Sequence, residues 1–522
     1  MPQRTSAAAG CIEMVSVSDA QRISAASEAK SAVPAVHRLW RRALLLGSAN
    51  AFDYALQFLL PLVLVRCLEP AAFGQYRLLW LAVGTVMGLA TLAMPPSLYY
   101  FLPRSDRETK RLYVNQTLLF LVFSGVIAAW IVSAWNPWLP LNIRSLAQQE
   151  AIVPVFVLLW VVASLLDLLP MVEERVMFQA KVTVGLSVLR AVTLSLTAVI
   201  TRELEPVLLA LLAFVVLKLA LLLFYISIHH GLRGPIVRWR AFVDQIRYAA
   251  PFGGSGALYE LRWQGDLWVA AALFPLGRFA SFSIAAILAP LLNVFRQSVN
   301  NAFLPAMSRL QAAGDLPGMI ALNSRANVMV GSFILPLLAF AFAFAEEIVT
   351  VVYTASYVDA APVMRIYTLG ILANVVELAT IMLLLRQGAF VMRLNLVTLL
   401  VSVGLSWYAA VNFGFAGAAV GSVTVMYIDR IATLRRVSLR SGVAFRRLQD
   451  WPSLGRLLLS SILAAVLAWS VVELYLAASA PLMRLVVGAA VLAAGYAATA
   501  VLLGVGRTWF TSLRNFKFGS LR

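Results

Sequence analysis

The sequence has 522 residues, of which 61% are hydrophobic and 13% charged, and its formal net charge is +18. This composition does not fit a soluble globular domain. In a soluble protein such a charge would favour nucleic-acid binding. Here the basic residues lie mostly in short loops between apolar stretches, where the positive-inside rule explains them. No nucleic-acid partner is therefore expected.

Few residues suit metal or nucleotide chemistry. The chain has two cysteines and three histidines, which supply neither a disulfide framework nor a cluster of metal ligands. It also lacks the G-x-x-x-x-G-K pattern that cradles the phosphates of ATP. We therefore expect no cofactor, no metal and no catalytic residues, and transport energy from a source other than ATP.

Apolar stretches of about 20 residues recur along the chain, and each is long enough to cross a bilayer as a helix. The sequence predicts an all-α polytopic membrane protein with about fourteen spans. They are 43–65, 78–100, 112–134, 151–171, 179–200, 206–228, 250–273, 280–303, 326–345, 361–385, 389–411, 414–434, 455–478 and 482–505.

Arginine and lysine alternate between rich and poor loops along these spans. The loops that include Arg107 and Arg240 are rich in basic residues, whereas a loop on the opposite side carries the acidic pair Glu346 and Glu347. The positive-inside rule then predicts that both termini are cytoplasmic. Residues 1–42 are polar and rich in Ala and Ser, which predicts a disordered cytoplasmic tail.

Two longer cytoplasmic loops divide the predicted spans. We predict an N-lobe of six spans, a C-lobe of six spans and a final pair of helices, with the two lobes facing each other across a central cleft. The predicted segments are 43–228 for the N-lobe, 229–249 for a linker, 250–434 for the C-lobe, 435–454 for a second linker, 455–505 for spans thirteen and fourteen, and 506–522 for a cytoplasmic tail.

A weak internal repeat supports this division. Phe73-Gly74-Gln75-Tyr76 opens span two and Phe279-Ala280-Ser281-Phe282 opens span eight. The same two spans end in Phe101-Leu102-Pro103 and Phe303-Leu304-Pro305. With six spans in each half, the halves share one orientation, as in transporters that rock two parallel repeats around a central site.

Ionisable residues inside spans are costly and indicate function by default. Asp53 lies midway along span one. It either carries a proton or cation or serves as a structural acid. Span seven carries Glu260, Arg262 and Asp266, of which the last two lie one turn apart and can pair. We take Asp53, Glu260 and Asp266 as candidates for ion coupling. The alternative for span seven is an internal ion pair.

Four intramembrane cations are candidates for a basic cavity lining, namely Arg190, Lys218, Arg262 and Arg296. Such a lining would favour an anionic cargo with a phosphate or pyrophosphate head group. Two of these cations have an alternative interpretation. Lys218 can extend its side chain toward the membrane interface, and Arg190 can pair with an acid. A polar face on span eight is predicted to line the cleft or to contact another helix. It consists of Asn293, Gln297, Asn300 and Asn301.

Several segments resemble one family in order along about 43–440. They are Leu68-x-Pro70-x-x-Phe73-Gly74-x-Tyr76, Asp266 with the Phe279-x-x-Phe282 stretch, Phe303-Leu304-Pro305-Ala306-Met307-Ser308-Arg309, Glu346-Glu347-Ile348 with Tyr353, Tyr357, Ala360 and Ala361, and Gly414-Phe415-Ala416-Gly417-Ala418-Ala419. The chain thus resembles the bacterial polysaccharide transport family, which flips O-antigen and exopolysaccharide repeat units. This family belongs to the multidrug/oligosaccharidyl-lipid/polysaccharide exporter superfamily.

The resemblance implies a secondary flippase that works by alternating access. Its implied cargo is a lipid-linked oligosaccharide on undecaprenyl pyrophosphate, used to build lipopolysaccharide or exopolysaccharide. The implied partners are this substrate, membrane lipids, and the polymerase and assembly proteins of the pathway. The alternatives are a cation-coupled multidrug exporter of the same superfamily and a membrane-embedded polymerase or glycosyltransferase. The loops are too short for the extramembrane chemistry of an enzyme, so a non-enzymatic protein is expected.

Overall fold

A computed structural model describes residues 45–133, 135–136, 151–231, 235–286 and 288–504 of the chain. These residues form helices and connecting turns, without a strand among them. The predicted tails 1–42 and 506–522 lie outside the described residues. The prediction of an all-α polytopic membrane protein is confirmed.

The first half of the described chain contains seven helices. They are α1 (Leu45–Cys67), α2 (Pro70–Ala90), α3 (Met94–Phe101), α4 (Arg107–Val132), α5 (Ile152–Val172, with a 3-10 turn at Ser164–Asp167), α6 (Val176–Thr201) and α7 (Leu204–His229).

The second half contains eleven helices. They are α8 (Trp239–Leu273), α9 (Leu276–Ile284), α10 (Leu288–Ala312), α11 (Leu316–Ala343), α12 (Ala345–Val352), α13 (Ala360–Ala373), α14 (Ala379–Leu384), α15 (Gly388–Phe413), α16 (Gly417–Ser441), α17 (Trp451–Leu476) and α18 (Pro481–Leu502).

Each of the fourteen predicted spans coincides with one of these helices or with consecutive ones. Nine helices of the described chain are long and apolar enough to cross a membrane, and the bent pair α2–α3 makes a tenth. The other four spans fall on α8, on α9 with α10, on α13 with α14, and on α16. These segments are broken into shorter helices or carry more charged residues. Their exposed backbone groups and charges need partners on other helices.

The break between α2 and α3 follows from the sequence. Pro95 and Pro96 lie in the first turn of α3. In one continuous helix they would be interior residues, where proline lacks the backbone N–H donor and its ring clashes with the carbonyl four residues earlier. Leu92 and Ala93 accordingly adopt left-handed backbone angles, with φ of 43° and 55°. A Cβ on Gly253 of α8 would lie 2.3 Å from the Leu92 carbonyl carbon, so α8 packs directly on this break.

Helix α8 begins eleven residues before the span predicted at 250. Its first turns pack on the predicted N-lobe, because the buried Gln245 amide donates to the Ser97 hydroxyl and the Thr117 hydroxyl, both at 2.9 Å. Part of the predicted linker 229–249 is therefore helical, and α8 continues through Pro251. The division of the chain into two lobes stays a prediction.

The two repeat segments contact each other. A Cβ on Gly74 of α2 would lie 2.2 Å from the Leu276 carbonyl oxygen of α9, and one on Gly277 would lie 3.7 Å from Pro70 Cβ. The contact at Gly74 needs glycine, whereas the distance at Gly277 is an ordinary van der Waals contact. Helices α2 and α9 therefore form a contact between the two predicted lobes.

Helices α17 and α18 pack against each other and on the predicted C-lobe. The Phe344 ring lies against Gly488, where an added Cβ would come within 2.6 Å of the ring. Arg484 bonds to Glu347 at 3.0 Å and to Glu473 at 2.8 Å. The final pair of helices therefore contacts the start of α12 through side-chain packing and through an ion pair.

Candidate functional site

A cavity of about 670 Å³ is lined by α8, α10, α13, α14, α15 and α16 and by the turns beside them. Its lining residues run from Ser255 to Thr433, so all of them belong to the predicted C-lobe. Four arginines and three acids line it, namely Arg262, Arg296, Arg386, Arg430, Asp266, Glu377 and Asp429. This is a highly charged interior for a chain of apolar helices.

Two of the arginines are held by acids of other helices. Arg262 on α8 donates to Asp429 on α16 at 3.1 Å. Arg296 on α10 donates to Glu377 at 3.1 Å and to the Asn374 carbonyl at 3.2 Å. The partners offset the cost of keeping these guanidinium groups inside the membrane, and they fix the direction in which the groups point.

Arg430 is held differently. It donates from Nη2 to the Asn374 side-chain oxygen at 2.9 Å, but its buried Nε has no hydrogen-bond partner in the described part of the chain. Its neighbour Asp429 is bonded to Arg262. Arg430 therefore retains donor capacity inside the cavity lining.

Asp266 does not pair with Arg262, although the two lie one turn apart on α8. Its carboxylate is buried and accepts from the Tyr367 hydroxyl at 2.7 Å and from the Ser422 hydroxyl at 2.5 Å. It also accepts from the backbone N–H of Leu267 at 2.9 Å. Hydroxyl and backbone donors thus occupy Asp266, while Arg262 finds its partner on another helix.

Glu377 lies in the break between α13 and α14. Its carboxylate accepts from the backbone N–H groups of Leu378 at 3.0 Å and Ala379 at 2.6 Å. On α11, Asn323 and Asn327 donate to the Glu377 carbonyl at 2.9 Å and 3.2 Å. Irregular backbone at membrane depth needs such internal partners, and here they position an acid beside Arg296.

The other two predicted cations lie in the predicted N-lobe, outside the cavity lining. Arg190 on α6 is 3.4 Å from Asp53 on α1, which also accepts from Ser187 at 2.5 Å. Lys218 on α7 is buried. It bonds to Asp167 at 2.7 Å, and its Nζ lies 5.0 Å from the centre of the Trp160 ring. The structure therefore separates the four predicted cations into three places.

The polar stripe on span eight is also divided. Asn293 lines the cavity together with Arg296. Gln297 and Asn301 are exposed, Asn300 is partly buried, and none of the three is among the cavity residues. Glu260 bonds to Gln264 and lies against α2 rather than in the cavity. The described residues contain no group of three acids, histidines or cysteines placed to hold a metal ion.

Four charged cavity residues were missed by sequence reasoning; one is Arg386, which lies in a predicted loop, and the other three are Glu377, Asp429 and Arg430. These three lie within the predicted spans 361–385 and 414–434. The rule that selected Arg262, an ionisable residue inside a span, would have selected them as well.

Comparison with known proteins defines the class and then the family. The structure matches that titled "Lipid II flippase MurJ, inward closed conformation" with a TM-score of 0.68 at 12% identity, covering 88% of this chain and 99% of that one. A structure titled "Crystal structure of MATE in complex with MaL6" matches with a TM-score of 0.48 at 11% identity, over 78% of this chain and 97% of that one. No curated protein sequence matches the chain.

The protein is a multi-pass membrane protein, and its fold is that of the matched lipid II flippase structure. Residues 39–311 match the model of a family described as polysaccharide biosynthesis protein, which is more than half of the chain. The chain belongs to this polysaccharide biosynthesis protein family.

Proposed function

We propose that the protein flips a lipid-linked oligosaccharide across the bacterial inner membrane for surface polysaccharide biosynthesis. The observation that carries this proposal is the cluster of arginines in the cavity. Guanidinium groups bind phosphate oxygens in a bidentate manner and keep their charge at any physiological pH. Arg262, Arg296 and Arg430 come from three helices, so they can surround one anionic group.

The size of the cavity fits a head group rather than a complete repeat unit. Its volume of about 670 Å³ lies within the ~300–1,000 Å³ range of small-ligand sites. We propose that a pyrophosphate with its first sugar occupies this volume, with undecaprenol as the lipid. The rest of the oligosaccharide then requires a wider cleft, which rocking of the two predicted lobes would supply.

The direction of transport follows from the predicted topology. Arg386, which lines the cavity, lies in a loop that the positive-inside pattern assigns to the cytoplasm. We infer that the head group enters from the cytoplasmic side and leaves on the periplasmic side, with both termini of the chain cytoplasmic. The polymerase and assembly proteins of the pathway would take the product.

The arginine cluster favours a transporter with an anionic cargo over the alternative, a cation-coupled multidrug exporter. A drug exporter needs an acid that is free to bind a cation or proton, and Asp53, the main candidate in span one, is hydrogen-bonded to Ser187 and paired with Arg190. A polymerase or glycosyltransferase would need a large extramembrane segment for its chemistry, and the described residues contain none.

The test replaces cavity arginines in cells that make surface polysaccharide. We expect Arg262→Ala and Arg296→Ala to lower its amount by about tenfold or more, since a lost hydrogen bond to a charged group costs ~1.5–3 kcal/mol. The amount of protein in the membrane should stay near normal. The matched control is Arg393→Ala on α15, an exposed arginine outside the cavity lining.

Two results would contradict the proposal. Normal polysaccharide from both variants would show that these arginines do not bind cargo. Loss of the protein from the membrane would show that Arg262 and Arg296 serve only to hold the helices together through Asp429 and Glu377.

A further inference from the structure

The contact between α2 and α8 contains an acid without a cation beside it. Glu260 of α8 is partly buried and bonds to Gln264 one turn further along the same helix. Asp266, the acid of α8 that lines the cavity, is occupied by Tyr367 and Ser422, but Glu260 forms no ion pair with any described residue. An acid at membrane depth with this environment requires an explanation.

Two glycines on α2 bring the helices into direct contact at Glu260. A Cβ on Gly88 would lie 2.8 Å from Glu260 Cγ and 2.9 Å from its Cβ, and a Cβ on Gly84 would lie 2.6 Å from Gln264 Nε2. The side chains of Glu260 and Gln264 therefore lie flat on the surface of α2. They are uncovered if α2 and α8 move apart.

A chain of hydrogen bonds crosses this contact and ends at Glu260. The Trp268 indole of α8 donates to the Thr85 hydroxyl of α2 at 2.8 Å, and Thr85 donates to Gln264 Oε1 at 2.5 Å. Gln264 then donates from Nε2 to Glu260 Oε1. The contact between the predicted lobes therefore contains a chain of polar groups, and this chain ends at one carboxyl group.

The charged groups near Glu260 are bonded elsewhere. On α8, Arg262 is bonded to Asp429 and Asp266 to Tyr367 and Ser422. Helix α2 carries no titratable residue after Arg77, which donates to Ser283. Helices α3, α4, α9, α15 and α16 also pack on α8. Their described titratable residues do not bond to Glu260; these residues include Tyr99, Tyr100, Glu108, Arg278, Arg393, Tyr408, Tyr427, Asp429 and Arg430.

We propose that Glu260 takes up one proton when α2 and α8 pack together and releases it when they separate. This inference rests on the proposed transport function and supplies it with a coupling residue. Packing against α2 removes water from the carboxyl group without providing a cation. Removing water from an ion is costly, and the single hydrogen bond from Gln264 offsets only part of that cost.

The proton has a defined place. Gln264 occupies Oε1, so the O–H bond forms at Oε2, with hydronium from the adjacent aqueous phase as the donor and water as the by-product. When the helices part, water reaches the carboxyl group, hydrates the carboxylate and accepts the proton. The packed contact is thereby favoured by acid and weakened by base.

The experiment measures the α2–α8 contact without substrate. Spin labels are placed at Glu203→Cys and Arg278→Cys, exposed positions in the predicted N-lobe and C-lobe, after Cys11→Ser and Cys67→Ser. Distance distributions are recorded in lipid nanodiscs between about pH 5 and about pH 9. We expect the population at the separation seen in this structure to fall as pH rises, with a ratio that changes by up to about tenfold per pH unit for one proton.

Replacement of the acid should remove this response. Glu260→Gln keeps the shape and the hydrogen bond, so we expect the packed population to dominate at every pH. Glu108→Gln, an exposed acid at the start of α4, is the control and should respond like the unmodified chain. A wild-type pH response in Glu260→Gln would overturn the proposal.

Two further variants complete the test. If Glu260→Gln fails to fold, Glu260→Asp keeps a titratable group in a changed position and should shift the midpoint of the response. An unchanged midpoint would overturn the proposal. Arg262→Ala should retain the pH response while it loses polysaccharide export, so failure of the arginine site and failure of Glu260 are separate results.

Discussion

Charged side chains inside the helices form pairs whose members are distant in sequence. Arg190 with Asp53, Lys218 with Asp167, and Arg262 with Asp429 are separated by 137, 51 and 167 residues. The sequence identified the cations because each interrupts an apolar stretch. It could not identify the acids that pair with them, because the pairing depends on which helices are neighbours. The same limit explains the expectation that Arg262 can pair with Asp266, its nearest acid along α8.

The pair of Asp53 and Arg190 provides a prediction at this scale. Asp53→Asn leaves the Arg190 guanidinium without its acid, so we expect the variant to lose about 1–3 kcal/mol of stability. This is below the ~3–5 kcal/mol typical of a fully buried pair, since the two side chains are 24% and 13% exposed. The double variant Asp53→Asn/Arg190→Gln should recover most of this loss. Thermal unfolding in detergent measures both.

Flipping assays in proteoliposomes then separate stability from coupling. If Asp53 carries the coupling proton or cation, the stable double variant should still fail to flip in response to an imposed pH gradient. Flipping at the wild-type rate, with the same response to the gradient, would show that Asp53 is a structural acid.

At the scale of helices, composition predicted the spans and missed their breaks. Each apolar stretch of about 20 residues fell on one helix or on consecutive ones, and ten of the fourteen segments in the described chain are long and apolar enough to cross a bilayer. The break between α13 and α14 was not expected, since it depends on partners such as Asn323 and Asn327 on another helix. The start of α8 was missed because its first turns are polar and lie beyond the apolar stretch.

Close packing of α15 on α16 gives a prediction at this scale. A Cβ on Gly421 would lie 2.2 Å from Ser406 Oγ and 2.3 Å from the Ser406 backbone nitrogen, so Gly421→Ala must push the helices apart. Membrane helices depend on such small residues for close approach, and overpacking costs ~1–3 kcal/mol. We expect a lower melting temperature in detergent. Gly404→Ala on α15, with nothing within 4 Å of its added Cβ, should melt like the wild type. Equal melting of both variants would contradict the packing described here.

The topology of the whole molecule follows from the number of spans and the sign of the loops. Each span moves the chain to the opposite side of the membrane, so positions after an even number of spans share a side with the N-terminus. Arg107 at the start of α4 follows two spans, Arg240 in the first turn of α8 follows six, and Glu347 in α12 follows nine. We therefore expect reporter fusions at Arg107 and Arg240 to read cytoplasmic, and a fusion at Glu347 to read periplasmic. A missed or extra span between any two of these positions would reverse the signal at every position that follows it. A periplasmic signal at Arg240 would mean an odd number of spans before α8, and two lobes of six spans with the same orientation could not then exist.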